Sequence, residues 1–337
     1  MTRTETPPRV SGLSGMAALP AVLRRLGGRL VQTAVVVVVV TFVTYWMLSL
    51  LPSDPCFLSV GTGATEELLA ECRERLELDR GLFAQYGAWL QNMLTGDLGE
   101  SYRNGIEVTE SLRDKAPVTL WLVLYTTVLS IVISVPLGML SAVRRDTWVD
   151  RLLTGGAFSL LALPSFVLGV VLALIFAAKL GWFDLGGYVS PTAGLLAHWK
   201  SLVLPVATLT AGIMPFFLRL LRSDVITTLQ EDFVEAARAK GLPRWWILLR
   251  HVLRPSSFTV VTVAGLNAAQ LINGALVVEI IFDLDGMGTY LISAVFNQDF
   301  LVVQTLVALI AAGFVATNML VDAMYPLLDP RVRVRNR

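Results

Sequence analysis

His198 and His251 are the chain's two histidines, and neither has a cysteine or carboxylate at metal-ligand spacing. No H-E-x-x-H, G-x-S-x-G or G-x-x-x-x-G-K-[ST] run occurs, so the sequence offers no zinc-protease helix, no nucleophile elbow and no phosphate-cradling loop. No catalytic, cofactor or metal residue is therefore assigned. The residues whose types and spacing carry a message lie between Glu231 and Pro255, EDFVEAARAKGLPRWWILLRHVLRP, a polar interval caught between long apolar segments. Their chemistry is recognition rather than bond-making. Glu231, Asp232 and Glu235 gather at the start and Arg238 and Lys240 follow, the order that a helix macrodipole favours. Thr228 with Glu231 suits a capping box, Gly241 suits a helix C′ position and Pro243 the first turn of a second helix. Ala236, Ala237 and Lys240 are expected on one side with Phe233, a small face that lets another protein come close to the backbone. An ordinary amphipathic surface helix would have the same spacing.

The elements that must position this interval are apolar. With 337 residues, 55% apolar, 16% charged and a mean hydropathy of +0.65, the composition excludes an ordinary soluble domain. Six segments reach the roughly 20 residues that a helical crossing needs: Val31 to Leu51, Ala116 to Val143, Leu152 to Ala178, Ser201 to Leu218, Pro255 to Val278 and Phe300 to Val321. In lipid each backbone amide needs an internal partner, so the expected fold is all-α and polytopic. If both termini are cytoplasmic, 19 of the 27 Lys and Arg fall on the inner side, and 17 of the 26 acids on the outer side. The Glu235 interval is then cytoplasmic. The basic residues follow this topology, and nothing in them points to nucleic acid.

Taken in order, residues 1–28 read as a flexible cytoplasmic tail, 29–326 as the six-helix domain and 327–337 as a basic cytoplasmic tail. The first apolar run is longer than a signal-peptide core and lacks an A-x-A site, so a retained helix is expected. Residues 52–115 form a large outer loop, with helices expected near Thr65 to Leu78 and Leu82 to Leu94. Both cysteines, Cys56 and Cys72, fall in it, on the side where disulfides persist. A Cys56–Cys72 bridge is expected, two buried free thiols being the alternative. Pro136 and Pro164 promise kinks in helices two and three, and the inner turn around Trp148 reads as a topological anchor. In the fifth span Asn267, Gln270 and Asn273 recur every three residues, an amide face that should avoid lipid. It meets either a neighbouring helix or a wet translocation pathway.

Several of these stretches resemble one family. Glu235-Ala236-Ala237, three residues, then Gly241 resembles the signature loop of bacterial ATP-binding-cassette (ABC) importer permeases, E-A-A-x3-G followed by x9-I-x-L-P. His251 stands where that pattern has Ile, Leu253 is in register, and Pro255 falls one place late. The ARAKG and RHVL runs resemble the family's peptide and nickel branch. Ser53-Asp54-Pro55, Leu78-Asp79-Arg80 and Gly96 to Ser101 resemble the outer loop of the B-type permease of oligopeptide and dipeptide importers. Val277, Val278, Glu279, Phe282, Gly286 and Gly288 match V-V-E-x-x-F-x-x-P-G-x-G, with Asp285 in place of Pro, and Leu328 to Arg331 match an L-D-P-R close. The likeness runs from about Arg24 to Arg333.

The resemblance implies a bacterial plasma-membrane permease subunit that forms half of a pathway for di- or oligopeptides by alternating access. Its implied partners are a C-type permease, two cytoplasmic ATPases that bind ATP and Mg, and an extracytoplasmic substrate-binding protein. Residues 223–254 would be the coupling loop, with Glu235, Ala236, Ala237, Arg238, Lys240 and Gly241 docking on an ATPase. Nickel or another small solute is the alternative cargo. A secondary transporter working alone is the competing class, and it would normally carry ionisable groups at mid-membrane or an inverted repeat.

Overall fold

The computed structural model describes residues 19–50, 55–60, 63, 65–75 and 80–328. Among these, the regular elements are helices, and the β contact found is an isolated antiparallel bridge between Glu100 and Glu107. In chain order they are α1 (Leu19–Ser49), α2 (Pro55–Val60), α3 (Glu66–Arg75), α4 (Leu82–Thr95) and α5 (Val108–Val143). Then come α6 (Trp148–Ala162), α7 (Ser165–Leu172), α8 (Leu195–Thr228), α9 (Asp232–Ala239) and α10 (Arg244–Trp246). The chain closes with α11 (Leu253–Ile281), α12 (Met287–Phe296) and α13 (Phe300–Leu328). A π-helical turn extends α7 over Ala173–Lys179, and another over Ile247–Val252 joins α10 to α11.

Val108–Val143, Leu195–Thr228 and Phe300–Val321 are each long and apolar enough to cross a bilayer, and two bent helix pairs raise the number to five. Among the described residues α1 adds a shorter apolar stretch, Ala34–Ser49. The third expected span, Leu152 to Ala178, is two helices: Trp148–Ala162 and Ser165–Lys179 meet at 98°. Pro164 explains the break. It has no N–H to give, and its ring keeps Leu163 extended, at φ −87° and ψ 127°, while Pro164 itself starts the next helix. Pro136 lies inside α5 without ending it. There α5 runs hard against α8: a side chain at Gly138 would meet the Leu218 carbonyl at 3.0 Å, so glycine sets the closeness of the two helices.

Two apolar clusters organise the bundle. One joins Leu122 of α5, Leu202 and Leu209 of α8, and Leu271 and Val278 of α11, closed by Phe282 and Leu284. The other lies toward α9 and joins Phe217, Leu221 and Val225 of α8 to Val260 and Ala264 of α11. At that end Arg222 of α8 makes a two-pronged ion pair with Asp150 of α6, 2.7 Å on each branch, and the Ser141 hydroxyl of α5 donates to the same carboxylate at 2.5 Å. Three helices are thereby tied at one point. Two further expectations are displaced: α5 starts at Val108, before the expected Ala116, and α8 runs on to Thr228, into the expected coupling loop. Residues 1–18 and the Ser53-Asp54, Leu78-Asp79 and Asp329-Pro330-Arg331 stretches lie outside the described residues.

Candidate functional site

The polar interval folds as a helix, a tight turn and a second helix. Glu231 is the N-cap of α9, at φ −75° and ψ 145°, but no side chain caps it. The capping box expected from Thr228 and Glu231 is not formed: Thr228 still belongs to α8, and its hydroxyl lies 3.1 Å from the Ser256 hydroxyl of α11. The far end is built as the sequence suggests. Gly241 has φ +73°, its N–H donates to the Arg238 carbonyl at 2.9 Å, and the Leu242 N–H donates to the Ala237 carbonyl at 3.3 Å. These are the two bonds of a Schellman turn, which needs a left-handed residue at C′. Pro243 then caps α10, receiving the N–H of Trp246 at 3.0 Å.

The faces of α9 follow from this geometry. Val234 and Ala237 point inward, among Phe217, Leu221 and Val225 of α8 and Ile247 and Val252 of the π turn. Glu235, Ala236, Arg238 and Lys240 are exposed, with Phe233 beside them at 42% exposure. The small outward face expected from Phe233, Ala236, Ala237 and Lys240 thus loses Ala237. Its 3-residue spacing from Val234 turns it into the bundle. Beside α9 a groove of about 490 Å³ has apolar walls from Val143, Leu229, Ile247 and Leu248, with Arg238 and Arg244 at its sides. The segment can therefore present charge, a ring and a small backbone-close patch to another surface while anchored from behind.

Of the amides of the fifth expected span, the structure describes the side chains of Asn267 and Gln270. Asn267 is half-buried and donates from Nδ2 to the Val263 carbonyl of its own helix at 2.8 Å. Gln270 is exposed, and the side chain of Asn273 lies outside the described residues. At the other end of α11, Glu279 is fully buried, accepting from the Thr119 hydroxyl at 2.6 Å and from the Thr289 N–H at 3.0 Å. Gly286 and Gly288 are glycines because this carboxylate occupies the space a side chain would need. Asp285, standing where the family pattern has Pro, pairs with Lys115 of α5. Cys56 and Cys72 are joined as a disulfide, with Cα atoms 5.7 Å apart, holding α2 to α3.

The Asp150–Arg222 pair and the depth of Glu279 were not read from the sequence. A usable signal existed for the first: Asp146 and Asp150 are acids among the three arginines of residues 144–151, and Arg222 follows the apolar run of α8. None existed for the second, since Glu279 stands at the end of an apolar run, where a solvated carboxylate is the default.

Several long apolar helices packed around a short docked helix make up a helical membrane protein. The chain belongs to the family of binding-protein-dependent transport system inner membrane components, which matches residues 134–334. The N-terminal part described for such membrane components matches residues 22–123. A putative peptide transport system permease protein of Brucella abortus (strain 2308) is 34% identical over 305 residues, covering 90% of this chain and 97% of that protein. The glutathione transport system permease protein GsiC of Salmonella paratyphi A is 34% identical over 314 residues, covering 93% of this chain and 99% of that protein. A solved amino acid ABC transporter aligns at a TM-score of 0.45 and 16% identity, covering 66% of this chain and 94% of that one. The chain is thus an ABC importer permease and a membrane protein, and such a subunit is not an enzyme by itself.

Proposed function

We propose that this chain is the B-type permease subunit of a bacterial peptide importer. It crosses the membrane six times with both termini cytoplasmic, and pairs with a C-type permease to enclose the pathway. Two ATPase subunits dock on the cytoplasmic face at α9, and a substrate-binding protein delivers di- or oligopeptides from outside. Support for peptide as cargo comes from relatives named as peptide and glutathione permeases over nine-tenths of this chain. Support for the topology comes from the distribution of Lys and Arg. The pathway is proposed to include Asn267, Gln270 and Asn273, and the Cys56–Cys72 bridge to persist on the outer side.

The observation that carries the reading is α9 itself. Its inner residues Val234 and Ala237 are locked among three elements, while Glu235, Ala236, Arg238 and Lys240 are left outward. That is the geometry of a part that is pushed. Reversing a charge there, Glu235→Arg, should weaken ATPase docking and leave the spans inserted, because the site lies outside the apolar core. The test is co-purification of the ATPase subunits with the variant, alongside its abundance in membranes and transport per molecule. Normal co-purification with normal transport would sink the docking assignment, and so would loss of abundance with unchanged transport per molecule.

A further inference from the structure

α4 sits in the loop expected to be a water-facing cap, yet its fourteen residues, LFAQYGAWLQNMLT, contain no charge. Neighbouring α3, EELLAECRER, carries four Glu and two Arg in ten residues. The two halves of the cap are built for different solvents. An uncharged apolar stretch of 10–14 residues suits a buried core helix or an interfacial segment better than an aqueous surface. A core helix is excluded by exposure: Phe83 and Leu94 are 78% and 80% exposed, and three helical turns apart they share one side of α4.

The depth of α4 can be measured against its neighbours. The Tyr86 hydroxyl lies 2.9 Å from the Thr41 hydroxyl and donates to the Val38 carbonyl at 3.1 Å, while the Tyr45 hydroxyl donates to Gln85 at 2.6 Å. Helix α1 ends at Ser49. At 1.5 Å per residue, Thr41 and Val38 lie about 12 and 16 Å below that end. A second ruler is α13, which starts at Phe300. Gln304 donates to the Thr41 carbonyl at 2.8 Å, and the Trp89 indole N–H reaches the Thr305 hydroxyl at 3.5 Å. That contact is about 8 Å into α13. Both rulers sink α4 below the ends of the helices it lies against: by about 8 Å along α13, within the roughly 5–10 Å at which interfacial helices ride, and by about 12–16 Å along α1. Phe83 stacks on Phe42, and Tyr86 and Trp89 pack beside them, an aromatic cluster of the kind found at membrane boundaries.

We infer that α4 is a membrane-embedded interfacial helix, whose strip from Phe83 through Gly87 to Leu94 contacts phospholipid acyl chains in the leaflet reached by the C-terminal end of α1. The inference rests on the transmembrane placement of α1 proposed above. Lipid is favoured over a soluble partner because the helix offers no charge for one to read, and because its depth along α1 leaves its outer face level with the exposed valines of that span. The disulfide-linked α2–α3 unit is then the part of the cap that stands in water.

The test uses the full chain in its native membranes, with the photoreactive residue benzoylphenylalanine placed singly at Phe83, Leu94, Val39 or Glu67. Val39 is 53% exposed on α1 at the same depth, and Glu67 lies exposed on α3. After irradiation, mass spectrometry should find lipid adducts at 83, 94 and 39, at least about tenfold above position 67, the factor that burying such side chains in an apolar phase supports. Lipid adducts at 39 together with polypeptide adducts, or none, at 83 and 94 would overturn the inference and leave the six-span reading intact. Absence of lipid adducts at 39 would overturn both.

Discussion

Gly241 is the residue at which the coupling assignment is most exposed to test. Its φ of +73° lies where L-residues pay, and a Cβ there would meet nothing within 4 Å. The cost of a substitution is therefore conformational and not steric. For an ordinary residue the left-handed well costs about 1–2 kcal/mol, somewhat less for Asn and more for a β-branched side chain. Against it stand the two bonds of the turn, Gly241 to Arg238 and Leu242 to Ala237, each worth about 0.5–1.5 kcal/mol net. Ala thus strains the turn to near balance. Val tips it over, and Pro243 and α10 then leave α9 in another direction. With every 1.4 kcal/mol a factor of ten in the population of the native turn, transport should fall in the order Gly, Asn, Ala, Val, with Val down by at least about tenfold. Abundance in the membrane should barely change, because Val234 and Ala237 keep α9 seated on the bundle. The assay is uptake into vesicles containing the whole complex, normalised to the amount of this chain, with ATP hydrolysis measured in parallel. Equal transport by the parent chain and the three variants would refute the reasoning. So would a graded fall in abundance with constant transport per molecule, which would make the turn merely structural.

Cysteines introduced singly at Asn267, Gln270 and Asn273 should react with a water-soluble thiol reagent to an extent that changes with nucleotide, whereas one at the buried Leu271 should not. Equal protection at all four positions in every state would leave only helix packing as the reason for the amides. Gly288→Ala should lower the unfolding temperature of the solubilised chain, since its Cβ would lie 2.6 Å from the Leu276 Cα and 2.8 Å from the Glu279 carboxylate. Overpacking of that kind costs about 1–3 kcal/mol; Gly313→Ala, with open space around it, should be neutral or better, and equal unfolding temperatures would contradict the tight cradle. Electrophoretic mobility of the unfolded chain should change on reduction, the Cys56–Cys72 bridge being worth about 3 kcal/mol to the α2–α3 unit for a loop of this length. Unchanged mobility with full thiol labelling before reduction would rule the bridge out.

How much the sequence disclosed depended on whether a signal was local. Gly241 and Pro243 announce a turn because glycine and proline constrain their own backbone wherever they stand, and the Schellman bonds formed around them. Thr228 was less legible: whether it caps α9 or finishes α8 is decided by Ser256, 28 residues away. Pro136 and Pro164 look alike in sequence, yet only the second breaks a helix, because α5 is held along α8 through Gly138. Helix ends were misjudged for another reason. Glu110, Arg113, Asp114 and Lys115 depress hydropathy without opposing helix, so α5 begins eight residues before its apolar run. The depth of Glu279 was not legible because burial of a carboxylate depends on donors supplied from elsewhere, Thr119 of α5 and Thr289 of α12.

The α9 end of the bundle shows why so short a helix can matter mechanically. An eight-residue helix is too short to be stable alone, so α9 exists through what it packs on. Its inner residues Val234 and Ala237 belong to one buried cluster with Val225 of α8, Ile247 and Val252 of the π turn and Val260 of α11. A displacement of α9 cannot be absorbed by one neighbour, because close-packed interiors shift as units. The inner part of α8 is in turn fixed to α6 and to the end of α5 by Arg222, Asp150 and Ser141, a paired and hydrogen-bonded set in which removal of one partner leaves a buried charge uncompensated. The shared cluster and the Arg222–Asp150–Ser141 tie thus link α9 to α5, α6, α8 and α11. The glycine-lined cradle of Glu279 holds the opposite end of α11 against α5 and α12. Under the docking proposed at α9, a bundle clamped at both ends in this way passes a push to these helices together.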